Sequence, residues 1–308
     1  MSFSITLSNV LLMLMYMLPG YALYKTHHAK AEHLSTLSAI LIYILGPCMI
    51  INAFIDMDYT GRKIYYLGMF LVASLVVQIL FVLIMYLVLR KKFQISKYRI
   101  LTIGSVLGNV GFFGMPLVKA LYPTSPEVAC YSSIFVVSMN LIVFTLGVYC
   151  LTMDKKYMTP KAALLNPTTV AFFFVLILVA TGVKNHIPVI VHDSVSLLGR
   201  MTTPVCMFIL GIRLATIKPS VLFSNPFIYL ICLCKQLVFP LFVFGITLWI
   251  NLPITFRASL VVLAGTPCAS IILNLAEIHH SEEKLAANVL LVSTLSCILT
   301  LPLLTFLF

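Results

Sequence analysis

Two short stretches hold the residues best suited to binding chemistry: "GNVGFFGMPLVKALYP" at 108–123 and "LAGTPCASIILNLAE" at 263–277. In the first, Gly108, Gly111 and Gly114 surround Asn109 and lead into Pro116; in the second, Gly265, Thr266 and Pro267 precede Ser270 and Asn274. Proline removes an amide donor and clashes with the preceding turn, and glycine weakens a helix interior. A helix broken this way is left with unpaired amides and carbonyls. At membrane depth these are tolerated only where protein or a wet cavity surrounds them. The amino ends of half-helices are electropositive, so the chemistry on offer is the binding of an anion, with Asn109 and Thr266 as neutral hydrogen-bonding groups beside the breaks. The bland alternative is that glycine and proline merely kink two membrane helices. Two breaks at matching positions favour a site.

Lys235 is the other conspicuous residue. It lies nine residues inside Pro226, about 14 Å along a helix at 1.5 Å per residue. A lysine at that depth costs about 2.5–3.5 kcal/mol on insertion scales, so something must compensate. It is either a counter-charge for an anionic substrate, or a snorkelling side chain that pairs with carbonyls freed by Pro240. Gln236 points to a different face, and Arg200 is shallow enough to snorkel. Asn140, Ser293, Thr294, Ser296, Ser270 and Asn274 can flank the same region. Each alone is also explained as interhelical glue worth about 0.6 kcal/mol. None of the nine acids lies deep in an apolar segment and no histidine does, so a carboxylate–histidine proton relay has no carrier. Uniport and sodium coupling through carbonyl, Asn and Ser/Thr oxygens both stay open. No other cofactor and no metal site is expected: the eight cysteines read as reduced packing residues and the histidines as interfacial.

These residues need elements to position them, and composition decides which. Hydrophobic residues make up 61% of the 308, charged residues 9%, and mean hydropathy is +1.08. Soluble domains carry about 25% charged residues, so the chain is an integral membrane protein. Apolar runs of about twenty residues are helical spans; barrel strands would alternate over about ten. Ten segments are predicted, at 4–24, 34–55, 64–89, 100–122, 128–151, 165–183, 194–214, 226–249, 256–277 and 285–307. The first lacks the basic leader and cleavage site of a signal peptide. The net charge of +11 is scattered through short loops, with "RKKFQISKYR" (90–99) the one cluster, which argues against a nucleic-acid partner. Counted with the span ends beside them, the odd-numbered loops hold thirteen Lys and Arg and the even-numbered loops five. Positive charge marks the cytoplasmic side, so both termini are expected outside the cell membrane.

The halves resemble one another. Pro47 and Pro204 are 157 apart, Pro116 and Pro267 are 151 apart, and "VVSMNLIVFTL" (136–146) lies over "LVSTLSCILTL" (291–301) at a spacing of 155. Each spacing is near half the chain, dividing it into residues 1–154 and 155–308. Five spans per half is an odd number, so the second copy is inverted. The predicted fold is therefore an all-α integral membrane protein of ten transmembrane helices, built as two inverted five-helix repeats with broken crossing helices 4 and 9. Inverted repeats are a signature of secondary transporters.

The motif at 108–123 also resembles that of the auxin efflux carrier family, the membrane transport proteins that include bacterial malate permeases. The resemblance continues through "PVCMFILGIRLA" (204–215), "KQLVFPLF" (235–242) and "GTPCASIILNLAE…AANVLLVSTLSCILTLPLL" (265–304) and spans essentially the whole chain. It implies a scaffold of helices 1, 2, 6 and 7, a moving transport domain of helices 3–5 and 8–10, and a crossing at Pro116 and Pro267. Asn109 matches an asparagine near the substrate carboxylate in plant members. A homodimer through the scaffold is implied as well. The loop at about 152–164 is short, unlike the long loop of many plant members, which favours a small organic anion such as malate over auxin. The leading expectation is a secondary carrier of small organic anions working by alternating access, its anion bound by Asn109, Gly108, Gly111, Thr266, Ser270, Asn140 and Lys235. A carrier of neutral or amino-acid-like solutes is the alternative, and a channel or sensor a further one. No HExxH, GxSxG or paired intramembrane aspartates point to an enzyme.

Overall fold

The computed structural model describes residues 2–218, 222–223 and 225–308. Among the described residues the chain is helical throughout, with a single isolated antiparallel bridge and no strand. Eight helices of the described residues are long and apolar enough to cross a membrane. They are α1 (Phe3–Lys25), α2 (His33–Ile55), α3 (Gly61–Lys92), α6 (Glu127–Thr152), α7 (Lys155–Ala180, regular from Pro167), α8 (Val189–Thr216), α9 (Pro226–Leu248) and α12 (Glu283–Leu307). The other two predicted segments are each split in two. The fourth becomes α4 (Ser96–Gly104) and α5 (Val110–Leu121); the ninth becomes α10 (Ile254–Ala264) and α11 (Ser270–Ile278).

Local sequence explains where several helices start. The side chains of Thr60, Asn166 and Asn225 accept from amides of the first turns of α3, α7 and α9. Pro167 and Pro226 occupy the first helical position, where the missing amide costs nothing. Proline deeper in a helix has another effect. Pro47, Pro116 and Pro240 each follow a five-residue π-turn, at Leu41–Leu45, Val110–Gly114 and Cys234–Val238. A proline ring collides with the carbonyl four residues back and offers it no amide. Widening the helix by one residue relieves that collision.

Packing brings distant parts of the sequence together. Helices α1 and α8 approach so closely at Gly20 and Gly211 that a Cβ on either would strike the other's backbone, at Phe208 O and Met17 O. Small residues at a crossing are the usual means of close helix association in lipid. Helix α2 lies against α7 and α8, α3 against α6, α9 against α10 and α12, and α6 against α10. The split helices α4–α5 and α10–α11 are enclosed by these neighbours, and their interruptions are almost wholly buried.

Candidate functional site

The two interruptions have the same length, residues 105–109 and 265–269, and they pair with each other. The Asn109 amide donates to Pro267 O at 2.7 Å, and the Ala269 amide donates to Leu107 O at 3.1 Å. The bridge between Gly108 and Cys268 lies at the centre of this exchange. Residues 160 apart thus occupy equivalent places. This corrects the predicted crossing point. Pro267 does lie in the crossing, but Pro116 sits inside α5, where it follows the π-turn. Its effect is on the Phe112 carbonyl four residues back, which accepts instead from the Thr203 hydroxyl of α8 at 2.9 Å.

Gly108 is required by close approach. A Cβ there would collide with Thr266 Oγ1 and come within 2.9 Å of Lys235 Nζ. Gly114 similarly admits Leu263 and Thr266, which a Cβ would meet at 2.7 and 2.9 Å. At Gly265 a Cβ would run into Leu304. The second interruption is held from behind: the Cys268 amide donates to Ser293 Oγ at 3.0 Å and its thiol to Gly104 O at 3.3 Å.

On one side of the crossing lies a cavity of about 100 Å³. Of the residues singled out by sequence, Gly108, Asn109, Gly111, Asn140 and Ser270 line it, together with Asn274. It is bounded by the amino ends of both α5 and α11. Four amides there, of Gly111, Phe112, Ser270 and Ile271, find no acceptor among the described residues. These are the orphan donors that any helix start leaves, and two electropositive helix ends supply them together. The Asn109 side chain is buried, and among the described residues its only hydrogen-bond partner is Cys206 Sγ at 3.8 Å. Asn274 makes no side-chain hydrogen bond among the described residues. Asn140 is committed: its amide nitrogen donates to Thr168 Oγ1 at 3.1 Å and Thr169 Oγ1 at 3.2 Å.

Thr266 and Lys235 do not line this cavity. The Thr266 hydroxyl donates to Leu263 O at 2.7 Å, within its own helix end. Lys235 is fully buried, donates to Ala264 O at the carboxyl end of α10, and stands 5.1 Å from the Phe239 ring centroid. A cation is favoured at a helix carboxyl terminus. No acid of the described residues pairs with it. Gly108, which meets Lys235 on one side, borders the cavity on the other. The charge therefore stands one backbone thickness behind the cavity wall. Gln236, the next residue, faces α12 instead, donating to Ser293 O at 2.5 Å.

A route leads away from the cavity. A smaller void of about 30 Å³ shares Ile42, Phe112, Ser270 and Asn274 with it, and in turn shares Ser38, Arg213 and Asn274 with a vestibule of about 540 Å³. Arg213 and Glu277 pair at 3.5 Å where these two spaces join. Sequence reasoning missed Asn166, Thr168 and Thr203. "NPTT" at 166–169 reads as a helix start, and Asn166 does cap α7. That Asn166 and Thr168 also border the cavity follows from tertiary packing alone.

Comparison with known proteins adds to this geometry. The profile of a family described as "Membrane transport protein" matches residues 5–160 and, a second time, residues 151–305. A protein of Methanocaldococcus jannaschii described as an uncharacterized transporter is 26% identical over 310 residues, covering 97% of each chain.

Proposed function

This chain belongs to the membrane transport protein family, and from that premise we propose that it is a secondary carrier of small organic anions, with carboxylates such as malate as the substrate class. It is a multi-span membrane transporter rather than an enzyme. The observation that carries the anion reading is the convergence of four unpaired amides from two helix amino ends on one cavity, with the unpaired charge of Lys235 one residue behind its wall. A carboxylate there would accept from these amides and from Asn109. Lys235 would act through the crossing rather than by contact. The cavity is far smaller than the 300–1,000 Å³ of drug-sized pockets, which suits a compact solute.

Two inverted five-helix repeats forming ten spans are the architecture we assign, supported by the double family match and by the symmetric exchange of hydrogen bonds between the interruptions. Helices α1, α2, α7 and α8 form the scaffold; α3–α6 and α9–α12 form the transport domain, which moves against it. Contacts that cross this boundary, Asn140 to Thr168 and Thr203 to Phe112, would exchange during that movement. The protein would sit in the cell membrane with both termini outside, as a homodimer through its scaffold. A second reading, transport of a neutral or amino-acid-like solute, is favoured by one observation: among the described residues, no charged side chain lines the cavity.

The test is counterflow in proteoliposomes with radiolabelled malate. Saturable uptake, accelerated by unlabelled malate on the opposite side, is the expected result. Non-saturable flux would indicate a channel, and counterflow with neutral solutes alone would replace the anion reading by the second one.

A further inference from the structure

A second, larger cavity lies on the opposite side of the Phe112–Thr203 hydrogen bond. Its volume is about 310 Å³, and α1, α2, α5 and α8 enclose it. Two cations line it, Arg200 and Lys119, both exposed, and neither pairs with an acid among the described residues. Asn9, Asn52 and Thr203 add neutral polar groups, and no carboxylate of the described residues lines the wall.

Arg200 is eight residues beyond His192, whose ring meets Asp56 at 2.9 Å at the end of α8 where the polar side chains cluster. Eight residues are about 12 Å along a helix at 1.5 Å per residue, which sets Arg200 below that end of α8 and beside the cavity, within snorkelling reach of the interface. An intramembrane arginine is expensive and calls for a partner or a wet cavity. The cavity is present, and among the described residues no acid pairs with Arg200. The contrast with the other vestibule is direct: there Arg213 is already paired with Glu277.

The cavity is also next to the crossing. Met49 lines both spaces, and Thr203 lines this one while its hydroxyl holds the carbonyl of Phe112, which lines the other. We propose that this cavity is a second carboxylate site, where Arg200 and Lys119 hold the substrate anion beside the crossing, separated from it by Met49 and the Thr203–Phe112 contact. The proposal rests on the anion-carrier reading. The charge-assisted hydrogen bonds that two cations offer a carboxylate serve a lipid phosphate equally well, so the test must separate the two sources.

The experiment is equilibrium dialysis of radiolabelled malate against the full chain in nanodiscs of phosphatidylcholine alone. Wild type is expected to bind two malates per chain, and the Arg200→Gln/Lys119→Gln double variant one. Equal stoichiometry in both proteins would overturn the second site while leaving the crossing site standing. Wild type that binds no malate would overturn the carrier reading itself. Adding phosphatidylglycerol provides the lipid arm: loss of one malate, together with a tightly retained lipid by native mass spectrometry in wild type but not in the double variant, would assign the cavity to a headgroup and overturn the proposal. Lys119→Gln alone, a change at an exposed side chain, is expected to weaken the second malate about tenfold, and Arg200→Lys to retain it. Unchanged binding in Lys119→Gln and lost binding in Arg200→Lys would together contradict the two-cation site.

Discussion

The two interruptions share a backbone plan and differ in chemistry. Each is five residues long, each donates one amide to the other, and in each half the long helix preceding the split helix carries a buried glutamine. Gln78 donates to Ser138 at 2.9 Å; Gln236 donates to the Ser293 carbonyl and accepts from Ser296 at 2.6 Å. The residue before each glutamine breaks the likeness, being Val77 in the first half and Lys235 in the second. Asn109 faces the cavity where Ala269 is its counterpart. The framework is duplicated and the charge is not. A symmetric crossing therefore gains a directed field: one helix carboxyl end, that of α10, is neutralised by a buried cation, while the two amino ends remain free to meet an anion.

The comparison can be broken at its centre. Gly108→Ala forces a Cβ against Thr266 and Lys235, and overpacking of this kind costs about 1–3 kcal/mol. Cys268→Ala at the equivalent position removes a thiol that donates to Gly104 O and is expected to cost about 1 kcal/mol. Thermal unfolding of the two variants in detergent checks this, and equal losses would mean that the crossing is not tightest at Gly108.

Next in size is the charge. Lys235→Met is expected to weaken carboxylate binding about tenfold, equivalent to about 1.4 kcal/mol, while leaving any neutral ligand unaffected. Titration calorimetry with both ligand types separates the outcomes. Asn109→Ala and Asn140→Ala sharpen the comparison within the cavity. The first removes a side chain without a strong partner and should reduce affinity with little change in stability. The second removes bonds to two threonines and should lower stability by about 1 kcal/mol. Thr203→Val, which leaves the Phe112 carbonyl without this donor, should likewise cost about 1 kcal/mol in thermal unfolding.

Much of this was legible in the sequence. Apolar length located the helices, Gly108, Gly265 and Pro267 fall in the two interruptions, and Asn109 lines the cavity. The pairing of Pro116 with Pro267 misleads: the two prolines are 151 apart, while the backbone exchange sets the spacing of equivalent positions at 160. Proline has two local effects, ending a helix or widening one, and the chain uses Pro267 for the first and Pro116 for the second. The depth of Lys235 could be counted, but its direction could not. The π-turn at Cys234–Val238 turns both Lys235 and Gln236 into the protein, toward different neighbours. Nor could spacing along one helix reveal that Asn140 meets Thr168 of the next.

The central claim is that the crossing binds an anion with Lys235 in support. Thermal stabilisation of the purified protein by a panel of mono- and dicarboxylates and neutral solutes, with and without sodium, in wild type and Lys235→Met, tests it most directly. Stabilisation of wild type by carboxylates that is lost or strongly weakened in Lys235→Met is the expected result, and dependence on sodium would identify the coupling ion. Stabilisation of both proteins by neutral compounds, with no carboxylate effective in either, would contradict the anion site and leave Lys235 as a structural cap on α10.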